Sequence, residues 1–223
     1  MKMPLLLSTI AMTVLINPIG AATQDTFAVT DTVASAATTS LRVNTESSSM
    51  KWNAKKFGGE HYGTIKLAEG TLLVNGNKLS GGSFTIDMTT IVVEDITRPD
   101  SNKKLTDHLK SDDFFSVEKF NSSNFKITKV SPIAKAKAGE PNYNITGDLT
   151  IKGITNPITF PAQVSINGKT AEAEARIVVD RTKYDIKYRS GLIGTAADRI
   201  IDDTFTIDLK LQAGTSVQPV SGK

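Results

Sequence analysis

The sequence predicts an all-β protein, a closed antiparallel barrel of about eight or nine strands with a short helical segment near residues 100–115. Apolar residues recur at every second position over most of the chain, as in strands with one dry and one wet face. Tight-turn dipeptides such as Asn75-Gly76 and Asn167-Gly168 separate successive runs. A closed barrel removes exposed strand edges, so it is the arrangement that these alternating runs favour.

The alternating runs can be followed in order along the chain. They cover residues 41–43, 50–54, 65–67 with 72–74, 84–88, 125–127, 143–151, 158–166, 171–179 and 205–211. Alternate side chains of a strand point to the same face, so one face of each run should look into the barrel. The expected interior residues are Trp52, Phe84, Ile86, Met88, Phe125, Ile127, Leu149, Ile151, Phe160, Ile177 and Val179. Plain core packing is the alternative role for each of them.

Residues 100–115 interrupt this pattern with a charged and aromatic stretch. Leu105, Leu109 and Phe114 recur at roughly helical intervals, which predicts a short helix. We expect it to lie across one end of the barrel, where Phe114 and Phe115 either wall a cavity or form a plug. Tyr184 is expected at the mouth, because a tyrosine ring can stay dry while its hydroxyl meets water.

Three small residues share one inward face at Ala171, Ala173 and Ala175. A barrel of about eight strands either fills with side chains or holds one small ligand. Small residues leave space that bulky ones would fill, and an empty cavity is costly. Either neighbouring aromatic side chains occupy this space or a ligand does, and composition leaves both open.

Both ends of the chain differ from its centre. Residues 1–22 have the pattern of a secretory signal, with a charged start, an apolar run too short for a stable membrane span, and a small-residue end. Residues 23–40 are expected to be a flexible leader, 41–213 the barrel domain and 214–223 a disordered tail. The chain has no cysteine, so no disulfide and no lipid-modified cysteine is expected. These features predict a periplasmic or secreted protein.

Residues and motifs that commonly form catalytic or metal-binding sites are scarce in this sequence. There are two histidines and no cysteine, so no zinc or other metal site is expected. No nucleophile-elbow, phosphate-loop or dinucleotide-binding motif is present, so we expect no catalytic residues and no cofactor. The formal net charge of +3 is mild, and basic residues do not cluster with aromatics, so nucleic acid is not an expected partner.

Several strings resemble the YceI-like family of exported bacterial proteins. They are His108-Leu-Lys-Ser-Asp-Asp-Phe-Phe-Ser-Val-Glu-Lys-Phe120, Gly147-Asp-Leu-Thr-Ile-Lys-Gly-Ile-Thr-Asn-Pro-Ile158, Val179-Asp-Arg-Thr-Lys-Tyr-Asp-Ile186 and Asp203-Thr-Phe-Thr-Ile-Asp-Leu209. The resemblance covers about residues 41 to 213. It departs from the family near residues 44–52, where the family's aspartate-proline pair and histidine are absent.

The resemblance implies an extended, lipocalin-like barrel of eight antiparallel strands that carries a long-chain lipid. The implied ligand is a polyisoprenoid or a fatty lipid, bound without catalysis. Lys55, His61, Arg98 and Arg181 are the head-group candidates, with a solvated surface charge as the alternative for each. A second function left open is an interaction module with a side-chain-filled barrel, which binds a partner through loops 90–113 or 187–203. A third is a lipid hydrolase, which would require His61 or His108 beside a serine and an acid. A homodimer is compatible with any of these readings, and no stable membrane span is expected once the signal is removed.

Overall fold

The computed structural model describes residues 37–215. Over that range the chain forms nine strands and one α-helix, with short 3-10 turns between the last two strands. The strands are β1 (Thr38–Val43), β2 (Ser49–Lys56), β3 (Gly59–Asn75), β4 (Lys78–Val93), β5 (Ser122–Pro132), β6 (Tyr143–Ile151), β7 (Ile154–Asn167), β8 (Thr170–Asp180) and β9 (Ile201–Gly214). Helix α1 spans Pro99–Lys110, and the 3-10 turns span Arg181–Tyr184, Gly191–Ile193 and Ala197–Arg199.

The strands close into one antiparallel barrel. Neighbouring strands pair in the order β2, β9, β8, β7, β6, β5, β4 and β3, and β3 returns to β2. Strand β1 pairs with the Thr71–Asn75 part of β3, whereas β2 pairs with its Gly59–Ile65 part. Strands β1 and β2 therefore share one position in the wall. The predicted closed barrel of eight antiparallel strands is confirmed.

The break between β1 and β2 has a local cause at Asn44. Its side-chain Oδ1 accepts hydrogen bonds from the backbone N–H groups of Glu46 and Ser47, at 3.1 and 3.2 Å. Such a turn offers the backbone an alternative to the strand ladder. The chain leaves the wall after Val43 and re-enters it at Ser49.

The ends of the barrel domain differ from two of the expected boundaries. Strand β1 begins at Thr38 and pairs with β3, so the last three residues of the expected leader 23–40 belong to the barrel. Gly214 ends β9 and pairs with Thr170, so the expected tail 214–223 also begins one residue too early. The predicted signal at 1–22, the rest of the leader and the tail from residue 216 lie outside the described residues.

Helix α1 and the 3-10 turns lie at the same end of the barrel, here called the helical end. The antiparallel connectivity places the β4–β5 connection, the β8–β9 connection and the β2–β3 and β6–β7 turns at this end. Pro99 and Asp100 occupy the first turn of α1, where a missing N–H and a negative charge are tolerated. The Asn102 side chain donates to the carbonyls of Val93 and Ile96, at 2.8 and 2.9 Å, which fastens the helix to β4.

Candidate ligand-binding cavities

Within the part of the chain that the structure describes, two apolar cavities lie inside the barrel. The helical-end cavity has a volume of about 130 Å³ and lies beneath α1 and the segment that follows it. Its walls are Met50, Trp52, Ala54, Ile65, Ile86, Met88, Ile91, Leu109, Phe114, Phe115, Ser123, Leu149, Ile151, Val179, Arg181, Ile186, Ile201, Asp202, Phe205 and Ile207.

The distal cavity has a volume of about 110 Å³ and extends toward the opposite end of the barrel. Aromatic side chains contribute to its wall but do not fill it: the ring centroids of Phe84 and Phe125 are 6.3 Å apart, and those of Phe125 and Phe160 are 5.6 Å apart. Ala173 and Ala175 line this cavity, whereas Ala171 is buried in the core outside it. The small-residue face of β8 therefore does leave unfilled space.

The two cavities share part of their walls. The residues that border both are Met50, Ile86, Leu149, Val179 and Ile207. These side chains come from five different strands, so they form a ring around the interior between the two spaces. The cavities follow one another along the barrel and are separated by this ring.

The interior positions predicted from alternation do line these cavities. Trp52, Met88 and Ile151 border the helical-end cavity, as do Ile86, Leu149 and Val179. Phe114 and Phe115, expected at one end of the barrel, border the same cavity. The distal cavity is bordered by Phe84, Phe125, Ile127, Phe160 and Ile177. Their contact with a ligand stays a prediction.

Tyr184 is the exception, and its expected place at the mouth is wrong. The side chain is fully buried and packs beneath Phe114 and Ile151, because the 3-10 turn Arg181–Tyr184 folds the ring inward. No donor or acceptor in the described part of the chain reaches its hydroxyl. Burial raises the pKa of Tyr184 to about 12, since the ionised phenolate is poorly solvated there.

Arg181 lies in the wall of the helical-end cavity and is only 4 % exposed. Its guanidinium donates to the backbone carbonyls of Asp202, Ile186 and Ile201 at 2.8–2.9 Å, and to the Asp203 carboxylate at 3.4 Å. Burial lowers the pKa of Arg181, while the neighbouring aspartates oppose that effect. The charge is therefore largely compensated by protein groups.

Two of these carbonyls, those of Ile201 and Asp202, lie where β9 bulges beside β2. The strand partner of Ala54 is Phe205, but the partner of Lys56 is Ile201. Three residues of β9 therefore lie opposite one residue of β2, which interrupts the ladder. Arg181 donates hydrogen bonds to the backbone at this bulge, which gives it a structural role in the wall of the barrel.

The other three head-group candidates lie away from the cavities. Lys55 and Arg98 are exposed, Lys55 near the end of β2 and Arg98 at the start of α1. His61 is partly buried near the start of β3 and pairs with Asp95 at 2.7 Å. Burial alone would raise the pKa of Asp95, but hydrogen bonds from His61 and from the backbone N–H of Tyr62 lower it. The expected head-group site is therefore not assembled from these four residues.

Several wall residues were not singled out from the sequence. Most of them, such as Leu67, Ile145 and Leu209, follow the same alternation and could have been found by extending it. Ser123 could not, because a polar residue at an inward position carries no apolar signal. It lies in β5 and lines the helical-end cavity.

Among residues 37–215 no cluster of three or more histidine, aspartate or glutamate side chains is placed to hold a metal ion. In the same range, none of the helices has the length and apolar character needed to cross a bilayer.

Comparison with protein-family models identifies the family of this chain. A family model described as the YceI-like domain matches residues 41–213. The chain belongs to the YceI-like family. The resemblance seen in its sequence strings is thereby confirmed, together with the lipocalin-like barrel that it implies.

Two curated relatives show how far this YceI-like chain has diverged. It is 38% identical over 89 residues to the UPF0312 protein VPA0850 of Vibrio parahaemolyticus, over 37% of this chain and 44% of that protein. It is 30% identical over 147 residues to Protein YceI of Escherichia coli O17:K52:H18, over 63% of this chain and 71% of that protein. The alignment with VPA0850 thus spans less than half of that relative's length.

Two solved structures share the fold of this YceI-like barrel. Burkholderia cenocepacia BcnA matches with a TM-score of 0.52 at 20% identity, over 76% of this chain and 98% of that one. A polyisoprenoid binding domain from Saccharophagus degradans matches with a TM-score of 0.53 at 13% identity, over 79% and 98%. At these identities the likeness establishes the fold alone.

Proposed function

We propose that this protein binds a long-chain amphiphilic lipid, a polyisoprenoid or a similar molecule, inside the barrel, and carries or stores it without catalysis. The observation that carries the proposal is the pair of apolar cavities placed end to end along the interior. An extended apolar tail fits two cavities in line better than a compact ligand does.

The energetic cost of the cavities supports a ligand over a side-chain-filled barrel. Unfilled space destabilises a protein by roughly 24 cal/mol per Å³, so a cavity of about 130 Å³ costs roughly 3 kcal/mol. That is a large share of the typical net stability of a domain, about 5–15 kcal/mol. The distal cavity of about 110 Å³ carries a similar cost, which larger residues at Ala173 and Ala175 would reduce, so a functional reason for the space is the simpler account.

The apolar character of the walls defines the class of ligand. Apolar cavities of comparable size, about 150 Å³, stay dry and accept apolar guests. Among the solved structures with this fold, one is described as a polyisoprenoid binding domain, which supports the same ligand class here. The signal-like residues 1–22 support a location of the proposed carrier in the periplasm or outside the cell.

Extraction of the protein from its native host tests this proposal. Protein purified without detergent is extracted with organic solvent, and mass spectrometry of the extract should show a long-chain lipid. Trp52 is the single tryptophan and lines the helical-end cavity, so its fluorescence should change when a long-chain probe is added. Empty extracts together with an unresponsive Trp52 would refute the proposal.

A second candidate function is favoured by exposed apolar residues in the loop 187–203. Leu192 is 74% exposed and Ile193 is 57% exposed, both on a 3-10 turn at the helical end. Such residues mark contact sites when they are grouped. A partner protein that is captured by the wild type but lost in a Leu192→Ser/Ile193→Ser variant, with lipid binding unchanged, would support this interaction role.

A further inference from the structure

We propose that Ser123 binds a neutral hydrogen-bonding group of the cargo, a hydroxyl or a carbonyl, inside the helical-end cavity. This inference rests on the proposed lipid-binding function and specifies its ligand. It places the polar group of the amphiphile within the barrel, away from the charged residues of its rim.

The observation is an unsatisfied hydroxyl in an apolar wall. Ser123 is 4% exposed, and its Oγ has no hydrogen-bond partner in the described part of the chain. It faces inward on β5, two residues before Phe125, and its strand partner is Ile86. Burial of a hydroxyl without a partner costs free energy, so buried hydroxyls normally have one.

The protein itself offers no partner from the other polar residues of this wall. The guanidinium of Arg181 is committed to the carbonyls of Asp202, Ile186 and Ile201. Asp202 is an exposed residue at the border of the cavity. The indole N–H of Trp52 donates to the carbonyl of Val92, and the remaining lining side chains are apolar. A ligand in the cavity is therefore the source of a partner that we assign to Ser123.

The surroundings of Ser123 indicate that the polar group of the bound ligand is neutral. A buried carboxylate or phosphate requires a compensating charge, and a single hydroxyl cannot supply one. The cation in this wall, Arg181, is already balanced by carbonyl oxygens and by the Asp203 carboxylate. An alcohol, a phenol or a ketone needs only one hydrogen bond, which the Ser123 hydroxyl can donate or accept.

This contact also fixes the orientation of the cargo. The distal cavity has only apolar side chains in its wall, so the tail belongs there. The polar group then lies on the other side of the ring that includes Met50 and Ile207. A few well-placed polar groups in an apolar pocket commonly set orientation in this way.

Binding of matched probes to the full chain tests the inference. The probes are geranylgeraniol, the acid of the same chain and the hydrocarbon that lacks the hydroxyl, measured by calorimetry and Trp52 fluorescence. Wild-type protein should bind the alcohol about tenfold more tightly than the hydrocarbon and more tightly than the acid. Ser123→Ala should abolish the preference for the alcohol while affinity for the hydrocarbon stays unchanged, and Ser123→Thr should retain the preference.

The matched control is Ser122→Ala, the preceding position on β5, which should leave the preference intact because alternate residues face opposite sides of a strand. Thermal unfolding of each variant checks that the fold is kept. An unchanged preference in Ser123→Ala would overturn the role of Ser123 while leaving lipid binding in place. Failure of the wild type to bind any probe would overturn both proposals.

Discussion

Arg181 donates from Nε to the backbone carbonyl of Asp202 at 2.9 Å, which ties the end of β8 to the bulged start of β9. Two further N–H groups of the same guanidinium reach the carbonyls of Ile186 and Ile201. A planar fork with donors in several directions can serve three carbonyls at once, which an ammonium group cannot match. Arg181 thus holds the β8–β9 connection against the wall of the helical-end cavity.

Replacement of Arg181 by lysine should lower the free energy of unfolding by about 3 kcal/mol. The variant keeps a buried charge but leaves carbonyl groups without donors, and unsatisfied buried groups carry a large penalty. Urea unfolding followed by circular dichroism measures the change. Arg176→Lys is the control, because Arg176 on β8 is exposed and forms only a surface ion pair with Asp208, at 3.4 Å. Its effect should stay within about 0.5 kcal/mol, and equal losses in both variants would contradict the assignment.

Replacement of Gly147 by alanine should destabilise the barrel by about 2 kcal/mol through overpacking. A Cβ at this position would overlap the Phe125 ring and lie 2.6 Å from the carbonyl oxygen of Lys126. Urea unfolding measures the loss, and Gly59→Ala is the control, since its nearest neighbour would be 3.9 Å away. Adding Phe125→Leu to the Gly147 variant should recover part of the stability that it loses. Strict additivity of the two changes would show that the ring is not the obstacle.

The barrel could be predicted from the sequence because its strands each have one wet and one dry face. Strand β6 shows this most clearly, where Ile145, Leu149 and Ile151 are buried between more accessible neighbours. The shared wall position of β1 and β2 could not be predicted. It depends on the Asn44 turn and on pairing with the far half of β3, and neither leaves a periodic signal.

The polar part of the site was less predictable than its apolar walls for a physical reason. A sequence shows that Arg181 is charged but not that three backbone carbonyls, two of them at the bulged start of β9, will accept its hydrogen bonds. It shows that Tyr184 is amphipathic but not that a 3-10 turn will bury its hydroxyl. No sequence pattern identifies Ser123, because what distinguishes it is a buried hydroxyl without a hydrogen-bond partner.

Replacement of Ala175 by leucine should weaken binding of long-chain probes at least tenfold while leaving the fold intact. The larger side chain would enter the distal cavity, and filling empty space commonly adds about 0.5–2 kcal/mol of stability. Calorimetric titration with a long-chain probe and thermal unfolding measure the two effects. Ala68→Leu is the control, because Ala68 is exposed on β3. Undiminished binding in the Ala175 variant would mean that the tail does not use the distal cavity.

Replacement of Tyr184 by phenylalanine should raise the stability at neutral pH by about 1 kcal/mol, because it removes a buried hydroxyl that has no partner. The advantage should grow in alkali. Burial raises the pKa of Tyr184 to about 12 in the folded chain, whereas the pKa of a tyrosine in the unfolded chain is about 10. The folded state therefore prefers the neutral phenol, and this contribution is complete below about pH 10 and is lost as the pH rises toward 12.

At about pH 11 the wild type should lose about 1.4 kcal/mol more than the Tyr184→Phe variant, the equivalent of about one pKa unit. Urea unfolding of both proteins at neutral pH and at about pH 11 gives this difference directly. Tyr62→Phe is the matched control, since Tyr62 is exposed and its replacement should not reproduce the gain seen with Tyr184→Phe. Ultraviolet titration of tyrosinate should show one wild-type ionisation delayed relative to the others. Parallel loss of stability in wild type and Tyr184→Phe would mean that this hydroxyl is hydrated in the folded protein.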